Sequence, residues 1–353
     1  MRRGANVHTL VALALAFSLI VLSFVLGLCT SWGVSRPGPI GMMVRLYGAD
    51  AASVAREFDL LTAMHVTWVR VDFEWPTIEG NHGKFDWAYT DAVVKEASAR
   101  RLNVLGILSH TPAWARPANT TTSNPPDHVS DFAEFARATV ARYSPLGVHT
   151  WEIWNEPNVS AFWQPAPDAN RYGELFRAAA TTMRAVDSVA TLLIGGLTSG
   201  GDLADGSRIS QAKYVEQLYG NGTAQAADAI AVHPYSFAWP HAHAVIGGLD
   251  DVPALHQIME RHGDGGKNVW ITEFGVPTGT ASDAVSDKDQ AATIMHARKL
   301  VQKWSWTGPL IYYELRDGGT NPAIDEENFG VVRKDLSLKP AGEALIQQQQ
   351  IAP

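Results

Sequence analysis

Short apolar runs alternate along the chain with longer segments whose apolar residues recur at helical spacing. This alternation begins near residue 41 and repeats eight times. The runs are apolar on both faces, which is typical of parallel strands covered by helices. The predicted strands are Gly41–Tyr47, Val66–Phe73, Asn103–Ser109, Val148–Asn155, Thr191–Leu197, Ala227–His233, Asn268–Glu273 and Pro309–Glu314.

The segments between the runs carry their apolar residues on one face. Tyr172, Phe176, Ala179 and Met183 show this spacing, as do Val54, Phe58 and Leu61. Eight strand–helix units over roughly 310 residues favour a (β/α)₈ TIM barrel, an α/β fold that fills residues 36–353 as one domain. Further helices are predicted at Trp87–Arg101, Phe132–Tyr143, Gln211–Tyr219, Val252–His262, Asp287–Trp304 and Ala341–Gln350.

Residues 1–35 have a different character. Arg2 and Arg3 precede an uncharged, mostly apolar stretch from Leu10 to Cys29. A helix of that length matches a bilayer core at about 1.5 Å per residue. The pattern predicts a signal anchor or, alternatively, a cleaved signal peptide. Either one places residues 36–353 outside the cytoplasmic membrane, attached to it if the segment is uncleaved.

Composition narrows the possible functions. The chain has 28 Lys and Arg against 36 Asp and Glu, a net charge of −8, which argues against nucleic acid as a partner. Cys29 is the only cysteine, so an intrachain disulfide and a cysteine-based zinc site are excluded. The 12 tryptophans offer flat aromatic faces, which often serve as platforms for apolar or sugar ligands.

Two glutamates at predicted strand ends carry the candidate chemistry. Glu156 follows the fourth strand within Trp154–Asn158, and Glu273 ends the seventh strand. Because parallel strands open at the same rim of a barrel, we expect the two carboxylates to face one another there. Glycoside hydrolysis uses such a pair, and a separation of about 5–5.5 Å supports a covalent glycosyl intermediate. One of two carboxylates this close is expected to hold a proton.

The stretches Trp154–Asn158 and Thr272–Gly275 resemble the signatures of clan A glycoside hydrolases, which are retaining (β/α)₈ enzymes. The stretch from Trp154 to Ala180 is most similar to glycoside hydrolase family 39 and its exopolysaccharide-hydrolase relatives. The resemblance covers about residues 40–345. It implies a retaining β-glycosidase that acts on an extracellular or cell-envelope polysaccharide or oligosaccharide, without a cofactor or metal. Glu156 matches the acid/base, Glu273 the nucleophile, and Asn155 the residue that binds the sugar 2-hydroxyl.

Three supporting residues follow from the same resemblance. Arg70 resembles the second-strand arginine that keeps the nucleophile ionised, although an ordinary buried ion pair is an alternative. His233 and Tyr235 resemble the pair at the end of the sixth strand, where the tyrosine hydroxyl contacts the nucleophile. A core histidine is the alternative for His233.

Four aromatic or imidazole side chains are candidates for sugar binding. His110 and Trp114 follow the third strand, and Trp163 follows the acid motif. Loop packing is the alternative for His110 and Trp114, and core packing is the alternative for Trp163. Tyr313 stands in the eighth strand where clan members usually present a tryptophan, which leaves the identity of the reactive sugar open.

Two other functions stay open at this level. The tryptophan content and the unusual eighth strand suit a non-catalytic glycan-binding barrel. His241 and His243, with His233 nearby, imitate the ligands of a metal-dependent barrel hydrolase. Further acidic residues near strand ends are expected to form ion pairs or to bind sugar: Asp72, Glu74, Glu152, Glu314 and Asp317.

Overall fold

The computed structural model describes residues 39–236 and 246–347, and its eight strands close into a parallel barrel. β1 pairs with β8 as well as with β2, so the ring has no open edge. The predicted (β/α)₈ barrel is therefore confirmed, whereas the predicted anchor or signal segment lies outside the described residues. The strands are β1 (Ile40–Val44), β2 (Trp68–Glu74), β3 (Asn103–Ser109), β4 (Thr150–Ile153), β5 (Thr191–Thr198), β6 (Ala229–His233), β7 (Asn268–Phe274) and β8 (Thr307–Tyr312).

Helices connect successive strands, and one more follows β8. Several begin at a side-chain cap, as where Asp50 accepts a hydrogen bond of 2.8 Å from the Ser53 amide. In the part of the chain that the structure describes, no helix is long and apolar enough to cross a bilayer. The α-helices are α1 (Ala51–Ala63), α2 (Trp75–Ile78), α3 (Ala88–Ala99), α4 (Val129–Tyr143), α5 (Ala169–Val186), α6 (Gln211–Gly220), α7 (Thr223–Ala226), α8 (Val252–Arg261), α9 (Asp287–Val301) and α10 (Pro340–Gln347).

The largest differences from the predicted strands lie at the functional end of the barrel. β4 ends at Ile153 rather than at Asn155, because Trp154 and Glu156 adopt left-handed backbone angles with φ of 70° and 45°. β8 ends at Tyr312, two residues earlier than predicted. The short helices α2 and α7 were not predicted, since four residues are too few for a helical period to show.

The hydrophobic core has two parts. A large cluster packs the outer faces of the strands against the helices. A small cluster fills the inside of the barrel, where Trp68 of β2 meets Trp270 of β7 edge to face at 5.0 Å from across the ring. The barrel is thus closed below by apolar side chains, which leaves its other end for polar chemistry.

Gly106 of β3 provides a test of this packing. A methyl group at Gly106 would lie 2.5 Å from Cζ3 of the buried Trp151 and 3.1 Å from Cδ2 of Phe73. We expect Gly106→Ala to lower the free energy of unfolding by about 1–3 kcal/mol in a denaturant titration, because overpacking displaces fitted side chains. Gly266→Ala is the matched control, since nothing lies within 4 Å of its added methyl group. Equal stability of the two variants would contradict this account of the core.

Candidate active site

A cavity of about 660 Å³ opens among the C-terminal ends of the strands. Six of the residues predicted from the sequence line it: one lies in β7 near its end, and the others follow β3, β4, β6 and β8 directly. Arg70 and His233 lie behind this lining and contact it. The six lining residues are His110, Asn155, Glu156, Tyr235, Glu273 and Tyr313.

The chain turns sharply where β4 ends, and this turn presents Glu156. The left-handed conformation of Trp154 and Glu156 is costly for residues that carry a side chain. Packing offsets that cost: the indole of Trp154 is buried and donates a hydrogen bond of 2.8 Å to the Phe162 carbonyl. The Glu156 amide donates to the Gly196 carbonyl at 3.1 Å. Glu156 is therefore held by backbone as well as by side-chain contacts.

Two adjacent glycines of β5, Gly195 and Gly196, make room for this turn. A side chain on Gly195 would overlap the carbonyl oxygen of Trp154, and one on Gly196 would overlap the His233 ring. The Gly196 amide also donates to Glu152 at 2.6 Å. The sequence analysis did not single out these glycines, although paired glycines inside a predicted strand signal a close backbone approach.

Glu156 and Glu273 meet across the cavity, as predicted. One carboxylate oxygen of each, together with a ring nitrogen of His233, lies within a group whose members are all within 4.8 Å of one another. His233 Nδ1 is 2.8 Å from Oε1 of Glu156 and 3.5 Å from Oε2 of Glu273. The Tyr235 hydroxyl donates to Oε2 of Glu273 at 2.8 Å. This separation suits a carboxylate pair that forms a covalent glycosyl intermediate.

Arg70 links β2 to β4 and β7 from inside the barrel. Its fully buried guanidinium donates to both oxygens of Glu152, from Nε at 3.0 Å and from Nη2 at 3.1 Å. Nη2 also donates to Oδ1 of Asn155 at 3.0 Å, and Nη1 donates to Oε1 of Glu273. The Asn155 amide nitrogen is left as the donor available to a ligand.

The charges around Glu273 favour its ionised form. Burial raises the pKa of this carboxyl, but the electrostatic effects of nearby His233 and Arg70 and the hydrogen bonds from Tyr235 and Arg70 outweigh burial. The pKa is consequently held below its ordinary value. Burial raises the pKa of Tyr235 well above its usual range, and nearby Glu273 adds to that rise. The hydroxyl therefore remains a hydrogen-bond donor.

Glu156, His233 and Glu273 also lie close enough together to hold a metal ion. Other partners already occupy their atoms: His233 Nδ1 contacts Glu156, its Nε2 is 3.1 Å from the Thr272 hydroxyl, and Arg70 contacts Glu273. This donor set fits a hydrogen-bonded acid–base group better than a metal site. His241 and His243, the other candidate ligands, lie outside the described residues.

His110 and Tyr313 lie on the cavity wall. His110 has a left-handed backbone with φ of 66°, and its Nδ1 is 3.0 Å from the Ser109 hydroxyl. The Tyr313 hydroxyl donates to Glu326 at 2.9 Å, and the Arg45 guanidinium carbon lies 5.1 Å from the centre of its ring. Both side chains are placed to contact a ligand in the cavity.

Trp114 and Trp163 do not line this cavity, and for both residues the packing alternative describes the structure. The Trp114 indole donates to the Glu79 carbonyl at 2.8 Å and stacks on His82 with ring centres 4.3 Å apart. Trp163 is 1% exposed and packs edge to face against Trp154 and Tyr172. It supports the turn that carries Glu156 from below.

Three of the predicted strand-end acids form ion pairs. Glu152 pairs with Arg70, Glu314 pairs with Arg45, and Asp317 accepts from Lys339 at 2.7 Å. Asp72 and Glu74 instead line the cavity. The sequence analysis missed several other lining residues because they lie on loops without a motif: Arg45, Phe162, Asp283, Glu326 and Phe329.

The hydrogen bond from Tyr235 to Glu273 can be tested directly. We expect Tyr235→Phe to raise the pKa of Glu273, because the ionised carboxylate loses a hydrogen-bond donor. Carboxyl-carbon NMR on ¹³C-glutamate-labelled protein would follow this titration, with the signal assigned from Glu273→Gln. Tyr313→Phe is the control, since that hydroxyl donates to Glu326. An unchanged midpoint in Tyr235→Phe would show that the contact does not tune Glu273.

Solved structures of similar fold include a family 39 glycoside hydrolase from Bacteroides cellulosilyticus WH2, with a TM-score of 0.71 and 23% identity. That alignment covers 89% of this chain and 64% of the other, so the chain spans less than two thirds of that enzyme. The GH39 enzyme from Xanthomonas axonopodis pv. citri has a TM-score of 0.71 and 19% identity, covering 91% and 67% of the two chains. A monomeric β-xylosidase from Caulobacter crescentus CB15 has a TM-score of 0.66 and 17% identity, covering 91% and 69%.

At these identities the structural likeness concerns the fold. No curated protein matches the chain. Residues 38–308, well over half of the chain, match the family model described as cellulase, glycosyl hydrolase family 5. This match confirms the resemblance to clan A. The chain also shares its fold with the family 39 enzymes, which agrees with the resemblance to family 39 seen in the sequence. The chain therefore belongs to glycosyl hydrolase family 5 of clan A.

Proposed function

We propose that the protein is a retaining β-glycosidase that acts on a cell-envelope or extracellular polysaccharide. The observation that supports this most strongly is the approach of Glu156 and Glu273, with an oxygen of each within 4.8 Å. Inverting enzymes hold their carboxyl groups about 6.5–9.5 Å apart to admit a water molecule between sugar and base. The shorter separation found here suits direct attack on the sugar by one of the two carboxylates.

In the first step, ionised Glu273 attacks the anomeric carbon while protonated Glu156 donates its proton to the departing glycosidic oxygen. The bond from sugar to leaving oxygen breaks as the bond from sugar to Glu273 forms. Arg70 and Tyr235 keep Glu273 ionised and hold its orientation. This fixed geometry removes the need to assemble the reacting groups during the step.

In the second step, Glu156 takes a proton from water, whose oxygen attacks the same carbon and releases Glu273. Two displacements at one carbon return the original configuration, so a β-linked substrate gives a β product. Asn155, fixed through its carbonyl oxygen by Arg70, presents its amide nitrogen to the sugar 2-hydroxyl. That contact strengthens as positive charge develops at the anomeric carbon.

Glutamine variants test both roles. We expect Glu156→Gln and Glu273→Gln each to lower the release of reducing ends by at least about 10³-fold, because each removes a group that bonds the reacting atoms. The substrates are a panel of β-linked polysaccharides and the host's own envelope glycans. Glu134→Gln, exposed on α4, is the matched control. Full activity in both active-site variants would contradict the proposal, as would saturable binding without any cleavage by the parent protein.

Proton NMR of the first product separates retention from inversion. A β-linked oligosaccharide should yield the β-anomer first, before mutarotation. An initial α-anomer would contradict a covalent intermediate on Glu273.

We also propose that residues 1–35 place the enzyme outside the cytoplasmic membrane. The support is the uncharged stretch from Leu10 to Cys29 behind Arg2 and Arg3. In cells that express the full chain, we expect Leu22→Arg to retain the protein in the cytoplasm, since a charge at the centre of a spanning segment costs about 2.5–3.5 kcal/mol. Cell fractionation measures this, with Asn6→Arg as the control. Parent protein in the cytoplasmic fraction would contradict the proposed location.

A further inference from the structure

The cavity is strongly acidic. Among the described residues that line it, seven are acidic, one is an arginine and one is a histidine. The arginine is Arg45, and it is already neutralised by Glu314, to which it donates at 2.7 Å and 2.6 Å. Burial lowers the pKa of the histidine, His110, although the nearby Glu74 opposes that shift, so a charge on its ring is disfavoured. The lining therefore offers little positive charge to balance its carboxylates.

Two of these carboxylates, Asp72 and Glu74, lie on the strand that carries Arg70. Arg70, Asp72 and Glu74 occupy alternate positions of β2 and so share its inner face. The Arg70 guanidinium already donates hydrogen bonds to Glu152, Asn155 and Glu273. Asp72 and Glu74 lie two and four residues after Arg70, closer to the mouth of the barrel.

Neither carboxylate pairs with a lysine or an arginine in the part of the chain that the structure describes. Within residues 39–236 and 246–347, no side chain forms an ion pair or hydrogen bond with Asp72. Glu74 accepts from the Thr77 hydroxyl at 3.0 Å and lies 4.0 Å from Nδ1 of His110. Burial raises the pKa of Asp72 to about 7, opposed by Arg70 and assisted by Glu74 and Glu273. A cation beside this carboxyl would reverse that rise.

We propose that the glycan bound in this cavity carries a free amino group and that Asp72 and Glu74 bind the ammonium of that amino sugar. The inference rests on the proposed function, since it names the substrate class of the same site. Unpaired acidic groups in a part-buried site are costly in the empty enzyme. An ammonium group supplies the missing charge and three hydrogen-bond donors.

The neutral sugar is the competing ligand, because carboxylates also accept hydrogen bonds from sugar hydroxyls. The two cases differ in their response to a change of Asp72 to asparagine. Asparagine keeps a hydrogen-bonding group of the same shape but has no charge. Binding of hydroxyls should then survive the substitution, whereas binding of an ammonium should not.

The experiment measures binding to Glu156→Gln protein, so that no turnover interferes. The probes are methyl β-glycosides of glucosamine, galactosamine and mannosamine, each compared with its N-acetylated form and with the neutral hexoside. Ligand-observed NMR titration gives the dissociation constants. We expect at least one amine to bind about tenfold more tightly than both of its uncharged counterparts. The absence of an amine preference, including no binding of any probe, would overturn the proposal.

Substitutions assign the effect to these residues. Asp72→Asn and Glu74→Gln, each combined with Glu156→Gln, should reduce the amine preference to about threefold or less. Asp59→Asn, 71% exposed on α1, is the matched control and should retain the preference. Thermal unfolding verifies that each variant is folded. A preference that persists in both Asp72→Asn and Glu74→Gln would overturn the assignment.

This design separates failure of the inference from failure of the proposed function. Glu273-dependent cleavage of a neutral glycan, without any preference for amines in the binding experiment, would leave the glycosidase intact and overturn the amino-sugar proposal. An amine preference without cleavage of any amino glycan would support the ligand class and count against the retaining glycosidase.

Discussion

The contacts of one buried guanidinium, that of Arg70, hold the active site together. It joins β2 to the ends of β4 and β7, through Glu152 and Asn155 on one side and Glu273 on the other. A buried charge is costly unless it is paired, and Glu152 supplies a full bidentate partner. Glu152 also matters during turnover: in the proposed glycosyl-enzyme Glu273 is an uncharged ester, and Glu152 remains as the counter-charge of Arg70.

The rim of the barrel concentrates backbone strain where the chemistry takes place. Trp154, Glu156 and His110 are all left-handed, although none is a glycine. Such residues persist only where their surroundings over-determine them. Here the buried indole of Trp154, packed on Trp163, and the Gly196 carbonyl hold the turn. Trp163 thus contributes to the site by packing against the turn that carries Glu156, the proposed acid/base.

The sequence predicts the barrel and the proximity of the two proposed catalytic carboxylates because both have local signatures. Strands that are apolar on both faces stand out from amphipathic helices, and parallel strands bring their ends to one rim. Partnerships across the barrel have no such signature. The match of Arg70 with Glu152 depends on which residues of β2 and β4 point inward, and the roles of Trp114 and Trp163 depend on burial. Arg70, Asp72 and Glu74 do show a period of two, which identifies them as one face once the strand is known.

Gly196 limits how this enzyme can be made more robust. Replacing glycine by alanine often stabilises a protein, because it restricts the unfolded chain. At Gly196 the new methyl group would occupy the space of the His233 ring, which contacts Glu156. Stabilising engineering of this barrel should therefore leave the end of β5 unchanged and seek its gains at exposed, unconstrained glycines such as Gly266.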